Sequence, residues 1–285
     1  MDGLKESLIE LTTSTITSFD TIVVETQGIL TTEWGAAWSA AIGLSNALKP
    51  FCLIIIAICI LIELAQVASK VDIIKWEHGL KVAVKLVLAR VCIDIAPTFL
   101  RACYNQANIW IRDATSVGGS LTNVASTLAT VIQDKIGSRN ALLEIMVVYV
   151  GIWLLSVLVK GCSLLIQVIA YGRMFELYVL LAVSPLPCAF FPLGDGTGGG
   201  VSRITQKYFK SFIAVCLQGV MIILCLRIFN IIFGNTLTTM IGAAVGQEGG
   251  IAVMDILWSL LMGDIVLFMS VSRCGSWAKS IIDAM

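Results

Sequence analysis

Histidine is almost missing from this 285-residue chain; His78 stands alone. A Ser–His–Asp or Cys–His arrangement would have to centre on it. Its neighbours Lys75-Trp76-Glu77 read as an interfacial turn, and no H-E-x-x-H helix is present. Charge is scarce too, at 13% of residues, against roughly 25% in soluble domains. The formal net charge is zero, which argues against a soluble nucleic-acid-binding domain with a basic face and leaves room for a local basic loop. None of the nine cysteines forms a C-x-x-C pair. Zinc sites need clustered ligands at short spacing, so the cysteines read as small packing residues. The segment 194–200, Gly-Asp-Gly-Thr-Gly-Gly-Gly, lacks the Gly-Lys-Ser/Thr ending of a phosphate loop and follows a proline-broken apolar segment rather than a strand. The acidic start Met1-Asp2-Gly3-Leu4-Lys5-Glu6 shows no secretory signal peptide. Catalysis, metal and cofactor binding therefore have no sequence support.

What the chain has in excess is apolar residues, at 58%, with a strongly positive mean hydropathy. Five stretches are long enough to cross a bilayer: 51–68, 141–169, 174–191, 209–233 and 251–271. A hydrocarbon core of ~30 Å needs ~20 helical residues. The expected fold is all-α, a polytopic transmembrane bundle of five to six membrane helices with an N-terminal amphipathic region.

Three parts are expected. Residues 1–49 form an amphipathic or interfacial region. It holds a short helix carrying Leu4, Leu8, Ile9 and Leu11, a Thr/Ser-rich run from Thr12 to Thr32, and an aromatic anchor at Trp34 and Trp38, one turn apart. Residues 50–140 begin at Pro50, in the first turn of the first span. They continue through the ambiguous stretch 79–100 into a large polar loop, 102–140, broken at Gly118-Gly119-Ser120. Residues 141–285 form the membrane-helix core. Within it Ser184-Pro185-Leu186-Pro187 marks a helix break, because proline lacks the N–H and clashes with the preceding turn. The glycine-rich 194–200 is a mobile linker, and 234–250 is a glycine-rich loop that either is exposed, re-enters the membrane or packs between subunits.

The ambiguous stretch mixes span-like Val82, Val84, Leu86 and Val91 with Lys81, Lys85, Arg90 and Asp94, and Arg90 can pair with Asp94 one turn on. It is either a sixth span inside a bundle or a surface helix. The positive-inside rule puts Arg203, Lys207, Lys210, Arg273 and Lys279 in the cytoplasm and the Lys/Arg-free 234–250 outside. The C-terminus is then cytoplasmic. Six crossings place the N-terminus inside and five place it outside, the latter with the cleaner charge asymmetry.

Charges within apolar segments are the remaining functional candidates. Glu144, Glu176 and Asp255 lie near span ends and can snorkel. Glu63, Lys160, Arg227 and Asp264 lie deeper, where a lone charge costs several kcal/mol in lipid. Each either pairs with another helix or faces a lumen or a subunit interface. Asp255 and Asp264 are half a turn out of phase and do not form a catalytic pair on one helix.

The run Tyr171-Gly172-Arg173-Met174-Phe175-Glu176-Leu177-Tyr178, continuing through Leu180-Leu181-Ala182 to Ser184-Pro185-Leu186-Pro187, resembles the signature region of TrbL-type conjugal transfer proteins. The following Tyr208-Phe209-Lys210-Ser211-Phe212 through Gln218 is similar to that family's next helix. The likeness covers roughly residues 141–275, and the overall length resembles short members from mobile elements of Gram-positive bacteria. It implies a polytopic subunit of a type IV secretion machine in the cytoplasmic (inner) membrane. It further implies homo-oligomerisation, contacts with lipid and other secretion subunits including ATPases, and help in passing a DNA–relaxase substrate. It implies no enzymatic activity and no cofactor. The long hydrophilic C-terminal extension of many members is missing, so no function tied to it carries over. Two other readings stay open: a secondary transporter of a small solute, for which no internal repeat is visible, and a self-assembling pore or scaffold outside conjugation.

Overall fold

In the computed structural model, residues 2–70, 76–116, 121–137, 142–192, 203–245 and 251–284 are described. Among them the backbone is helical almost throughout, in eight helices: α1 (Asp2–Thr31), α2 (Gly35–Lys70), α3 (Trp76–Ser116), α4 (Thr122–Gly137), α5 (Leu142–Val183), α6 (Pro185–Ala189), α7 (Arg203–Val245) and α8 (Ile251–Ala284). The all-α membrane architecture expected from the sequence is the one observed. The expected linker 194–200 lies outside the described residues.

The helices are longer than the hydropathy pattern suggested. The Thr/Ser run belongs to the 30-residue α1, because its hydroxyls fold back onto their own helix; Thr12 donates to the Leu8 carbonyl at 2.8 Å and Ser18 to that of Ser14 at 2.7 Å. Pro50 does not open a helix but lies inside α2, and Pro97 lies inside α3. Residues 102–116 and 122–137 are helix rather than loop, and α7 carries helix to Val245 across most of the expected loop 234–250. The stretches 141–169 and 174–191 were expected as separate spans. Up to Val183 they share the single 42-residue α5, about 63 Å long at 1.5 Å per residue. Tyr171-Gly172-Arg173 interrupts hydropathy but not the backbone ladder, and a lone glycine costs a helix only ~1 kcal/mol.

Four segments of the described residues are long and apolar enough to cross a membrane: Glu6–Ala65, Met146–Ala189, Arg203–Ala243 and Trp258–Ala284. The ambiguous 79–100, which carries Lys81, Lys85, Arg90 and Asp94, is not among them. The chain is a multi-pass membrane protein.

The chain divides into two compact units. The first comprises Met1–Thr31, Ile109–Gly172 and Gly219–Trp277; the second comprises Thr32–Asn108, Arg173–Gln218 and Ala278–Met285. In the first, α1 packs on α4, and Phe19 meets Phe229 and Phe233 of α7 at centroid separations of 5.9 and 5.7 Å. In the second, Cys52 and Ile56 of α2, Ala89, Ile93 and Ala96 of α3, and Cys188 and Ala189 of α6 make a core of mostly small side chains. Small residues let helices approach closely where lipid supplies no hydrophobic driving force. The cysteines Cys52, Cys59, Cys188, Cys216 and Cys274 are buried in these interiors.

Candidate functional site

Glu63 and Lys85 form an ion pair between α2 and α3. Glu63 is the only one of the four deep charges that has an ion-pair partner among the described residues, and Lys85 comes from the ambiguous stretch. Four further ion pairs among the described residues lie in the second unit. Asp94 accepts from Lys49 at 3.4 Å and from Arg90, one turn away, at 3.2 Å. Arg101 reaches Glu33 at 2.8 Å, and Arg173 reaches Glu176 at 2.8 Å. Trp38, expected as a surface anchor, is buried instead, stacked on Tyr104 and edge-on to Tyr178, with the Arg101 guanidinium 5.3 Å from its ring centroid. The aromatic face attracts the cation and holds it towards Glu33. Trp34 remains exposed.

The same unit contains Pro185 and Pro187. α5 ends at Val183 and α6 starts at Pro185. The Ser184 N–H bonds the Leu181 carbonyl at 3.3 Å, one residue short of the regular helical partner, which leaves the Leu180 carbonyl free. The Tyr208 hydroxyl of α7 donates to it at 2.6 Å. Thr205, one turn earlier, donates to the Pro187 carbonyl at 2.7 Å. An unpaired carbonyl in an apolar setting costs free energy comparable to a lost hydrogen bond, and Tyr208 of the neighbouring helix removes that cost at Leu180. The Pro187 carbonyl already accepts from the Phe190 N–H at 3.3 Å and takes Thr205 as a second donor.

The first unit treats its charges differently. Lys160 is exposed on α5 among Trp153, Leu154, Val157, Leu158 and Leu164, which are exposed too, and no ion pair reaches it among the described residues. Beside it, Gly161 has open space where a side chain would stand. Arg227 of α7 is half-buried, and its Nε is buried without a hydrogen-bond partner. Asp264 of α8 is 2% exposed, and its Oδ1 also lacks a partner. The Cys162 thiol of α5 is within hydrogen-bonding reach of the Asp264 carboxylate. No ion pair joins Lys160, Arg227 or Asp264 to one another among the described residues.

Sequence reading missed one polar node in this unit. The Asp20 carboxylate accepts from the Leu121 N–H at 2.9 Å, at the entry to α4, and from the buried Asn230 amide of α7 at 3.1 Å. An acceptor at a helix start satisfies one of its orphan donors. The only sequence signal was an acid inside a Thr-rich helix. Cys225 and Cys274 bring their sulfurs within 3.4 Å of each other, between α7 and α8. Among the described residues, no group of three or more His, Cys, Asp or Glu is placed to hold a metal ion.

A family model described as TrbL/VirB6 plasmid conjugal transfer like protein matches residues 34–185, more than half of the chain. The chain belongs to the TrbL/VirB6-like family. Membership makes it a membrane subunit of conjugal transfer. The TrbL/VirB6-like match takes in Glu63, Lys160 and Pro185 and ends before Pro187, Arg227 and Asp264. It overlaps the stretch that resembled the family in sequence only from about 141 to 185, and it reaches further towards the N-terminus than that resemblance did. No curated protein and no solved structure matches this TrbL/VirB6-like chain.

Proposed function

We propose that the protein is a channel or scaffold subunit of a conjugative type IV secretion system. It acts in the cytoplasmic membrane as a homo-oligomer with its C-terminus in the cytoplasm, and it helps a DNA–relaxase substrate across. Its partners are copies of itself, lipid and other secretion subunits. ATP hydrolysis belongs to those subunits, and this chain carries no catalytic step of its own. One observation beyond the family supports the reading: Lys160, exposed on an apolar helix face with no partner among the described residues. Ionisable residues in membrane helices pair with one another or face a protein interior or a watery cavity. A second copy, or a lumen between copies, supplies what one chain does not.

A broken membrane helix is also a hallmark of secondary transporters, which use the freed carbonyls to coordinate ions. Here the Leu180 and Pro187 carbonyls are already taken by Tyr208 and Thr205, which speaks for a structural break.

The test is the mass of the lipid-extracted particle, with imaging of its projections. A symmetric multimer is the expected result; a monomer or dimer with a closed central pocket would overturn it in favour of a transporter. Transfer assays add a second reading. Arg227→Leu and Asp264→Leu are expected to weaken assembly or transfer more than Arg112→Leu, and near-normal transfer in all three would remove these charges from the mechanism.

A further inference from the structure

The outward face of α1 is polar, like that of α4, where Asn123, Ser126, Thr127 and Thr130 are exposed, but on α1 it carries carboxylates. Glu6, Glu10, Ser14, Thr21 and Glu25 are exposed along it, with Thr17 half-buried between them. Among the described side chains, Val24 is the only large apolar one exposed there. On α5 in the same unit the exposed side chains are mostly apolar, Trp153, Leu154, Val157, Leu158, Leu164 and Leu165 among them, with Lys160 the charged exception among the described residues.

α1 nevertheless lies lengthwise along the membrane-crossing helices. Phe19 meets Phe229, Asp20 bonds Asn230, and a side chain at Gly219 would meet Leu30 at 3.6 Å. Numbers rise on α1 as they fall on α7, so the two run antiparallel over three turns. Glu25 also accepts from Gln167 of α5 at 2.5 Å. Both neighbours belong to segments long and apolar enough to cross a membrane.

The hydroxyls of this face are partly self-sufficient. Thr17 donates to the Thr13 carbonyl at 2.9 Å and Thr21 to that of Thr17 at 3.2 Å. Of the carboxylates, Glu25 has Gln167 as a donor, while Glu6 and Glu10 make no ion pair among the described residues. Hydrocarbon cannot solvate an ionised carboxylate; water can.

We propose that the outer face of α1 is the wall of a water-filled passage along the membrane helices, and that its negative sign admits small hydrated cations ahead of anions. The inference rests on the protein being a membrane subunit. It does not rest on the DNA–relaxase role or on copy number.

The test uses the full chain in lipid bilayers. α1 contains no native cysteine, so peptide mass spectrometry can read labelling at Ser14→Cys and Thr21→Cys separately from the natural thiols. Val157→Cys, on the apolar face, is the reference. Membrane-impermeant thiosulfonate reagents of either charge are applied while ionic current is recorded. Both α1 positions are expected to react and to change the current. The cationic reagent should react about tenfold faster than the anionic one, at the low end of electrostatic steering. Glu10→Gln combined with Glu25→Gln should bring the two rates together.

Three results would overturn the proposal. Labelling that leaves the current unchanged puts α1 in bulk water. Labelling no faster than at Val157→Cys puts it under lipid or protein. No current from the unaltered chain removes the passage itself. A monomeric particle in which α1 still reacts and still gates current would sink the homo-oligomer reading and leave this one standing.

Discussion

The two units solve one problem in opposite ways. Both are built of long apolar helices that carry charge. In the second unit Glu33, Lys49, Glu63, Lys85, Arg90, Asp94, Arg101, Arg173 and Glu176 all sit in ion pairs. In the first, Lys160, Arg227 and Asp264 sit in none among the described residues, and polar cohesion there comes from hydrogen bonds to Asp20 and Glu25. Charges satisfied at home specify how a chain's own helices register. Charges left over are available to something else. The second unit therefore reads as a self-contained brace, and the first as the part that meets a partner or a lumen.

The comparison breaks most sharply at Lys85. Lys85→Ala strands Glu63, whose Oε2 already lacks a partner, and removing one member of a buried pair costs ~3 kcal/mol or more. The pair is partly exposed, so ~2–3 kcal/mol is expected, read as a lowered midpoint of denaturant unfolding in detergent. The charge swap Glu63→Lys with Lys85→Glu should recover much of the loss. Lys160→Gln should leave that midpoint within about 0.5 kcal/mol while altering particle mass. A large loss of monomer stability at Lys160 would erase the distinction between the units.

Next in size are the shared polar nodes. Tyr208→Phe removes the donor to the Leu180 carbonyl and should cost ~1–3 kcal/mol. Asp20→Ala removes the acceptor of two donors, and ~2 kcal/mol is expected from the lost cap together with the orphaned amide. Thermal unfolding followed by circular dichroism checks both.

Packing gives the smaller contrast. At Gly263 a Cβ would come within 2.5 Å of the Phe233 ring. Gly263→Ala must push that ring aside, at a cost of ~1–2 kcal/mol. At Gly161 a Cβ meets nothing, so Gly161→Ala should stabilise the isolated chain by ~0.5–1 kcal/mol through helix propensity. If it instead disrupts the assembled particle, the notch beside Lys160 is where a neighbouring helix sits.

The membrane class, the helical fold and the family were legible in one dimension, because hydropathy and proline are local properties. So was the Arg90–Asp94 pair, since one turn of helix brings the two together wherever the helix lies. Element lengths were not. Charged or hydroxylated residues such as Arg173 and the threonines of α1 look like boundaries to a hydropathy window, yet a helix asks only that backbone groups stay paired. The partners of Glu63 and Asp20 were hidden for another reason. Lys85, Leu121 and Asn230 lie far along the chain on other helices, and no periodicity encodes which helix will be adjacent. The expected surface role of Trp38 failed likewise, because Tyr104 and Tyr178 bury it from two separate elements.

The clamp on the proline break also orders biogenesis. A nascent chain that has delivered α5 and α6 to the membrane carries the Leu180 carbonyl without its donor and the Pro187 carbonyl with the Phe190 N–H alone, because Tyr208 and Thr205 have not yet been made. Until α7 emerges, that segment is expected to stay near the insertion machinery, where water and protein groups can serve in their place. A chain halted shortly after residue 192 should crosslink to the insertase far longer than one halted after 245, and Tyr208→Phe should lengthen that stay in the longer chain.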